Sequence, residues 1–315
     1  MGKVLRRYIK QGLKSMIWKI APVPALWKHR PVTQNYSIAV CRGDSVLSLR
    51  NSPFLSTPVI TRLDVNDVPA NLVADPFICR YNNRWYMFFE VYNNISSKGE
   101  IGLAESEDGF SWQYRQIVLR EPFHLSYPYV FEWDQQFYMI PEGGRGSGVT
   151  LYQAMEFPLG WRPVRVLLEQ KGFFDSSIFH YQERWWLFSA TRHDGGQPAL
   201  HLFHADDLLG DWEEHPMSPV VNGDPHITRP GGRVIVDDGR LYRFAQDSYP
   251  IYGSKVHLLE ITRLTTSEYA EERVLDEPYF EAGEFFWNNN GMHHVDARRL
   301  DDGTWIACVD GFPVR

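Results

Sequence analysis

Carboxylates, an arginine and two histidines recur at the ends of short, strand-like segments rich in Trp, Tyr and Phe. Five segments share one pattern of a short strand, a tight polar turn and an aromatic strand: ADPFICRYNNRWYMFFE (74–90), SYPYVFEWDQQFYMIPE (126–142), FDSSIFHYQERWWLFSA (174–190), TRPGGRVIVDDGRLYRFAQD (228–247) and HHVDARRLDDGTWIACVDG (293–311). Paired carboxylates can serve as acid and base at a glycosidic bond. Arginine and histidine can bind a phosphate. The pattern therefore points to chemistry on a sugar or a sugar phosphate.

The repeat predicts an all-β fold, a five-bladed β-propeller over residues 31–315. The turns YNNR, EWDQQ, YQER, DDGR and LDDG have hairpin composition. A third strand follows each of the first four hairpins, and a fourth follows most of them, so each repeat has the content of one blade. We expect the stretch YSIAVCRG (36–43) to join the last blade and close the ring. A β-sandwich would explain the strands but not the period.

The propeller predicts where the polar residues meet. The innermost strand of each blade starts at one mouth of the central channel, and the next strand returns to the same mouth. The residues that open or close these strands should therefore share a pocket. The predicted catalytic carboxylates are Asp75, Asp175, Glu90 and Glu142. The predicted substrate-binding residues are Arg229, His293, His294, Tyr127 and Asp247.

Each of these residues also has a structural interpretation, which the sequence leaves open. Asp75 precedes Pro76 and could simply start a turn. Arg229 could be an ion-pair partner of Asp175 or Glu142. The remaining alternatives are that Tyr127 packs in the wall, that Glu90 and Glu142 cap backbone amides, and that only one of His293 and His294 faces the channel.

Charge and cysteine content exclude some functions. The net charge is -7, yet residues 1–43 carry nine Lys or Arg and no acid, so the rest has 32 − 9 = 23 basic against 39 acidic residues. Such an acidic body is a poor nucleic-acid binder. The three cysteines are far apart and form neither a disulfide framework nor a zinc spacing, which indicates a reducing cytosol. No P-loop, GxGxxG or metal-ligand motif is present, and we expect no cofactor and no metal.

The first 30 residues form a basic amphipathic segment. Within 3–20, apolar residues fall on one stripe of a helix and Lys3, Arg7, Lys10 and Lys14 fall on another, until Pro22 ends the pattern. This distribution favours a short helix lying on an anionic membrane surface. The alternative is a helix packed on its own domain. We expect a cytoplasmic protein at the inner face of the membrane.

Long stretches of the chain resemble known propellers. ADPFI, WYMFFE and SEDGFSW are similar to the furanosidase superfamily of glycoside hydrolases, which includes arabinanases, xylosidases and invertases. NLVADPFI, HLSYPYVFEWDQQFYMIPE, RPGGRVIVDDGRLYRFAQD and YGSKVHLLEI more closely resemble the N-terminal propeller domain of plant glucosamine inositolphosphorylceramide transferases and its stand-alone bacterial relatives. The likeness covers about residues 36–311.

The resemblance implies three possible functions. In the hydrolases, two Asp and a proton-donating Glu follow in that order; Asp75 and Asp175 match the two Asp, but Arg229 stands where the Glu is expected. A phosphate leaving group needs cations rather than a proton, so the first alternative is a glycosyltransferase that uses a phosphate-activated sugar and a lipid-linked acceptor. The second is a glycoside hydrolase with Glu90 or Glu142 as acid. The third is a non-catalytic sugar-binding partner, because the plant proteins carry a separate transferase domain.

Overall fold

The computed structural model describes residues 35–144, 148–169, 172–192 and 197–314. The predicted N-terminal helix lies outside the described residues, as does the centre of the Gly-rich stretch 143–148. Within the described part of the chain, no helix is long and apolar enough to cross a bilayer.

Five antiparallel sheets, one per repeat, form the five-bladed propeller and confirm the predicted fold. Strand β1 spans Ser37–Gly43 and is followed by two 3₁₀ helices, Val46–Asn51 and Pro53–Ser56. The strands of the first blade, from the innermost outward, are β2 (Ala70–Tyr81), β3 (Arg84–Asn93), β4 (Lys98–Ser106) and β5 (Gln113–Leu119). Those of the second are β6 (Ser126–Trp133), β7 (Gln136–Glu142), β8 (Val149–Glu156) and β9 (Leu159–Leu168).

The other three blades depart from the four-strand pattern. The third contains β10 (Phe173–Tyr181), β11 (Arg184–Arg192) and β12 (Pro198–Ala205), with two short strands on its outer edge, β13 (Glu213–Glu214) and β14 (Val221–Asn222). The fourth has an interrupted inner strand, β15 (Arg229–Pro230) and β16 (Ile235–Asp237), then β17 (Arg240–Asp247), β18 (Lys255–Leu264) and β19 (Tyr269–Arg273). The fifth is built from β20 (Val295–Arg299) and β21 (Trp305–Gly311).

Strand β1 completes the fifth blade, as the sequence predicts. It runs antiparallel to β21, from the pair Ser37 and Gly311 at one end to Gly43 and Trp305 at the other. The first described strand is thus the outer neighbour of the last one, and the ring is closed by main-chain hydrogen bonds between the two ends of the propeller.

Burial explains the composition of the strands. Ten residues of β2, Ala70–Cys79, are almost all buried, because an inner strand is covered by neighbouring blades on both faces. The outer strand β5 has exposed residues between its buried Tyr114, Ile117 and Leu119. The aromatic side chains of the repeats thus fill the layers between blades, where large rings bury the most apolar surface.

The first three inner strands contain the same backbone irregularity. Asp75, Tyr127 and Asp175 have φ values of 53°, 46° and 48°, a region that non-glycine residues seldom occupy. In each blade the pairing register shifts around this residue. Such bulges change the direction of a side chain relative to the regular pleat. The same bulge therefore redirects the side chain at the corresponding position of three successive blades.

Candidate active site at the channel mouth

An Asp–His–Asp arrangement lies where the first and last blades meet. His293 Nδ1 is 2.7 Å from Asp310 Oδ1, and His293 Nε2 is 3.9 Å from Asp75 Oδ1. Asp310 also accepts a hydrogen bond from the Asp75 backbone N–H, at 2.9 Å. All three side chains are buried. The imidazole of His293 is therefore held between two carboxyl groups.

Burial and charge act in opposite directions on these three groups. Burial raises the pKa of Asp75 and His293 lowers it, and the result is a pKa of about 7. Burial would lower the pKa of His293, but the charge of Asp310 outweighs it, so the pKa is raised. For Asp310, burial is outweighed by the charge and hydrogen bond of His293, and the pKa is lowered. These shifts favour a charged pair of Asp310 carboxylate and His293 imidazolium, and Asp75 is close to its titration midpoint near neutral pH.

A second group, centred on Arg229, lies beside the first. The Arg229 guanidinium donates through Nε to Asp175, and its Nη2 is 3.5 Å from Glu142 Oε2. Gln246 Nε2 donates to Asp175 Oδ2 at 2.7 Å. The Tyr252 ring lies 5.0 Å from the guanidinium carbon. The ion-pair interpretation of Arg229, which the sequence left open, is thus the arrangement that the structure has.

Two buried glutamates link the groups electrostatically. Burial raises the pKa of Glu90 well above its usual value, and the charges of Asp75 and Glu142 raise it further. The pKa of Glu142 is also raised well above its usual value, first by burial and then by Asp175, although Arg229 opposes the shift. Both carboxyl groups therefore keep a proton to a higher pH than an exposed glutamic acid does. Glu90 Oε1 is 3.5 Å from Nε2 of the partly exposed His124.

Ion pairs compensate charge within the cluster. Asp175 is paired with Arg229, and Asp310 is paired with His293. Asp75 then remains as the group that gains or loses a proton near pH 7. Buried charges are tolerated when they are paired, and this pairing explains how five carboxyl groups can share one site.

Three predicted substrate-binding residues lie in the walls instead. The Tyr127 hydroxyl bonds Ser177 Oγ (2.8 Å) and both the carbonyl and the N–H of Gly232 (3.0 and 2.7 Å), so it ties three blades together. His294 is fully buried, with Nε2 2.9 Å from the Pro76 carbonyl. Burial lowers its pKa to about 4, which keeps it neutral. These contacts favour a structural role for Tyr127, whereas His294 also borders the site, because its Nδ1 is 3.9 Å from Asp75 Oδ1.

Asp247 is the third such residue. It bonds His226 Nδ1 at 2.8 Å and His257 Nε2 at 3.3 Å, away from the Arg229 group. Successive strand residues point to opposite faces, so Gln246 reaches the cluster and Asp247 does not. The returning strand of the fourth blade therefore contributes an amide where the sequence analysis placed a carboxylate.

Some residues that shape the site were not among the predicted site residues. Tyr36 stacks on His293, with ring centroids 4.6 Å apart and planes at 25°. Gly253 has a φ of 70°, and a Cβ there would lie only 2.6 Å from His293 Cδ2 and 2.7 Å from the Tyr36 hydroxyl. Asp310 lies at the end of strand β21, a position like those of Glu90 and Glu142 in their strands. Only the strand-end position of Asp310 carried a signal; Tyr36 and the loop 248–254 lie outside the repeated segments.

One set of atoms has the spacing of a metal site. Ligand atoms of Asp75, His293 and Asp310 lie within 4.8 Å of one another. One imidazole and two carboxylates suit a divalent cation, but a ligating His293 would have to be neutral. The protonated imidazole already supplies a positive charge between the same two carboxyl groups. The geometry therefore permits a cation only in place of that proton.

Comparison with known proteins identifies one sequence family and a number of solved structures with a similar fold. Residues 35–312 match the family model described as Glucosamine inositolphosphorylceramide transferase 1, N-terminal. The Oryza sativa subsp. japonica protein named Glucosamine inositolphosphorylceramide transferase 1 is 38% identical over 265 residues, which are 82% of this chain and 36% of the relative. The Arabidopsis thaliana protein of that name is 35% identical over 300 residues, or 88% and 39%. The chain thus spans little more than a third of these relatives.

Solved structures support the fold alone, because their sequence identities are low. A beta-1,2-mannobiose phosphorylase from Listeria innocua superposes with a TM-score of 0.62 at 13% identity, covering 87% of this chain and 96% of that one. The Bombyx mori GH32 beta-fructofuranosidase BmSUC1 gives 0.55 at 14% identity, covering 78% and 58%. A thermostable family-43 glycoside hydrolase gives 0.55 at 15% identity, covering 78% and 91%.

Proposed function

Because this chain belongs to the glucosamine inositolphosphorylceramide transferase N-terminal family, we propose that it is a carbohydrate-active protein of glycolipid or cell-surface glycan assembly. In this proposal the channel mouth binds an activated sugar and transfers it to an acceptor hydroxyl. The observation that carries it is Asp75, a buried carboxyl whose pKa is about 7. A general base works best when its pKa lies near the working pH.

Each polar group then has a task in the transfer. Asp75 takes the proton of the acceptor hydroxyl. His293, held by Asp310 at 2.7 Å, stabilises the carboxylate form of Asp75 before that proton arrives. Arg229 uses Nε and Nη2 for Asp175 and Glu142, and a quarter of its side chain is exposed. This partial exposure supports binding of a phosphate on the donor.

Apolar side chains at the same mouth support a lipid-linked acceptor. Ile95 follows strand β3, Tyr249 follows β17, and Phe286 precedes the fifth blade; they are 79%, 61% and 82% exposed. Aromatic and aliphatic side chains of this kind favour the interface of a lipid bilayer. Tyr36, next to the basic segment 1–34 in the sequence, stacks on His293 inside the mouth. We therefore propose that the mouth faces the cytoplasmic membrane surface.

Hydrolysis is the second candidate, and the glutamates favour it. Expulsion of an alkoxide requires a carboxylic acid as proton donor. Burial raises the pKa of both Glu90 and Glu142, which favours their protonated form. In this candidate function, the proton donor comes from a returning strand of the first or second blade, because Arg229 occupies the strand-opening position of the fourth.

The experiment assays the purified chain against two panels. Nucleotide sugars with glycolipid acceptors test transfer, and aryl furanosides and pyranosides test hydrolysis. Asp75→Asn should lower the rate about 10²–10⁴-fold, as expected for loss of a base. Asp211→Asn, at a fully exposed carboxylate, is the matched control and should not change it. Sugar binding without turnover on either panel would overturn the catalytic proposal and favour a sugar-binding partner.

A further inference from the structure

A groove at the opposite end of the propeller contains an arginine that forms no ion pair with any carboxylate in the described part of the chain. The groove has a volume of about 410 Å³ and lies between the hairpin ends of the first and fifth blades. Its lining includes Arg80, Arg298, Arg299 and Asp301. Three guanidinium groups and one carboxylate therefore face one space, on the other side of the molecule from Asp75.

The exposed arginines of the groove have carboxylate partners. Arg299 Nη1 is 3.4 Å from Asp237 and 3.2 Å from Asp238. Arg80 Nη1 is 3.5 Å from Asp301, whose side chain is fully exposed and well solvated. These are surface pairs of low energy, which a bound anion can rearrange at small cost.

Arg298 differs from both. Its Nε donates to the Ile78 carbonyl at 3.0 Å, while its Nη2 is buried and has no hydrogen-bond partner among the residues that the structure describes. Burial, followed by the charge of Arg233, lowers the pKa of Arg298. A buried donor that lacks a partner costs free energy. The arrangement therefore favours an acceptor supplied from outside the chain.

Asp296, the carboxylate near Arg298, already has other hydrogen-bond partners. Asp296 accepts from Arg233 Nε at 2.6 Å and from the Ile78 backbone N–H at 2.6 Å. Arg233 also donates to the Val130 carbonyl, which holds it in place. Asp296 is thus paired with Arg233, and among the described residues Arg298 forms no ion pair with a carboxylate at the base of the groove.

We infer that this groove binds the phosphate group of a phosphorylated sugar, with Arg298 as the principal contact and Arg80 as a second cation. A guanidinium presents parallel donors that match a phosphate. Tyr81 also lines the groove and is 39% exposed, so its ring is available to the attached sugar. This site is separate from the channel mouth and does not depend on the function proposed for it.

The test is calorimetric titration of the full chain with inorganic phosphate, glucose 6-phosphate and glucose, at constant ionic strength. Glucose 6-phosphate should bind most tightly and glucose should not bind. Loss of one charge-assisted hydrogen bond corresponds to about a tenfold loss of affinity, which is the minimum expected for Arg298→Gln. Arg263→Gln, an exposed arginine paired with Glu268 on strand β18, is the matched control and should leave affinity unchanged.

A second variant covers a failure of Arg298→Gln to fold. Arg80→Gln changes an exposed side chain, so the fold should persist while affinity for glucose 6-phosphate falls several-fold. Equal affinities of the folded Arg298 or Arg80 variants and the parent chain would overturn the inference. So would a loss of affinity in Arg229→Gln in place of Arg298→Gln, because the phosphate would then bind at the mouth.

Discussion

Asp75→Asn should stabilise the folded chain at alkaline pH. The carboxyl has a pKa of about 7 in the fold against its ordinary 3.8. An acid whose pKa is raised by folding binds its proton more tightly when folded, so the fold is most stable at low pH and loses stability as the pH rises through that interval. The difference corresponds to about 4 kcal/mol in total. Asparagine resembles the protonated acid and should not show this loss.

Urea unfolding at pH 5 and pH 8 measures the effect. The free energy of unfolding of Asp75→Asn, relative to the parent chain, should rise by about 2–3 kcal/mol between these two pH values. Asp310→Asn is the matched control on the other side of His293. Folding lowers the pKa of Asp310, so the Asp310 carboxylate contributes stability above its unfolded pKa. Asp310→Asn should therefore destabilise the chain at both pH values. The reasoning is refuted if the free energy of unfolding of Asp75→Asn, relative to the parent chain, is unchanged or lower at pH 8 than at pH 5.

Two further predictions concern the proposed donor and membrane. Arg229→Lys removes the guanidinium fork that contacts Asp175 and Glu142. If Arg229 also binds phosphate, donor affinity should fall about tenfold. A hydrolase should instead keep much of its activity with a shifted pH profile, so measurements of rate against pH distinguish the two outcomes. Replacing Lys3, Arg7, Lys10 and Lys14 by Gln should release the chain from anionic vesicles, at about 1 kcal/mol per cation; equal sedimentation of both proteins would contradict surface binding.

The repeat allowed the ring, its closure and most of the site to be predicted. Asp75, Glu90, Glu142, Asp175, Arg229 and His293 occupy the strand ends whose convergence the propeller predicts. Gln246 and Asp247 could not be distinguished, because the repeat locates the end of a strand but not which of two adjacent residues faces inward. The bulge at Tyr127 has a φ of 46° and shifts the strand register, and the residue type at that position does not indicate it.

Residues outside the repeats were less predictable. Tyr36 directly precedes β1, and it contacts His293 only because β1 pairs with β21 in the last blade. The segment 248–254 connects two strands, and nothing in its composition indicates that Gly253 packs so close to His293 that a Cβ would lie 2.6 Å from His293 Cδ2. Contacts between distant parts of the chain require the assembled propeller, so local sequence patterns do not reveal them.

The pairing of β1 with β21 also brings both ends of the propeller to the channel mouth. Ser37 pairs with Gly311, and the Phe312 ring lies 4.8 Å from Tyr36, which itself covers His293. A polypeptide joined before Asn35 or after Val314 is therefore tethered beside the channel mouth. Tethering raises the effective concentration of the attached segment at that site, often to the millimolar range for a short linker. A catalytic domain fused at either end would therefore reach a sugar bound at the mouth even if the domain bound the propeller only weakly. A lipid-binding segment fused there would hold the mouth close to the lipid in the same way.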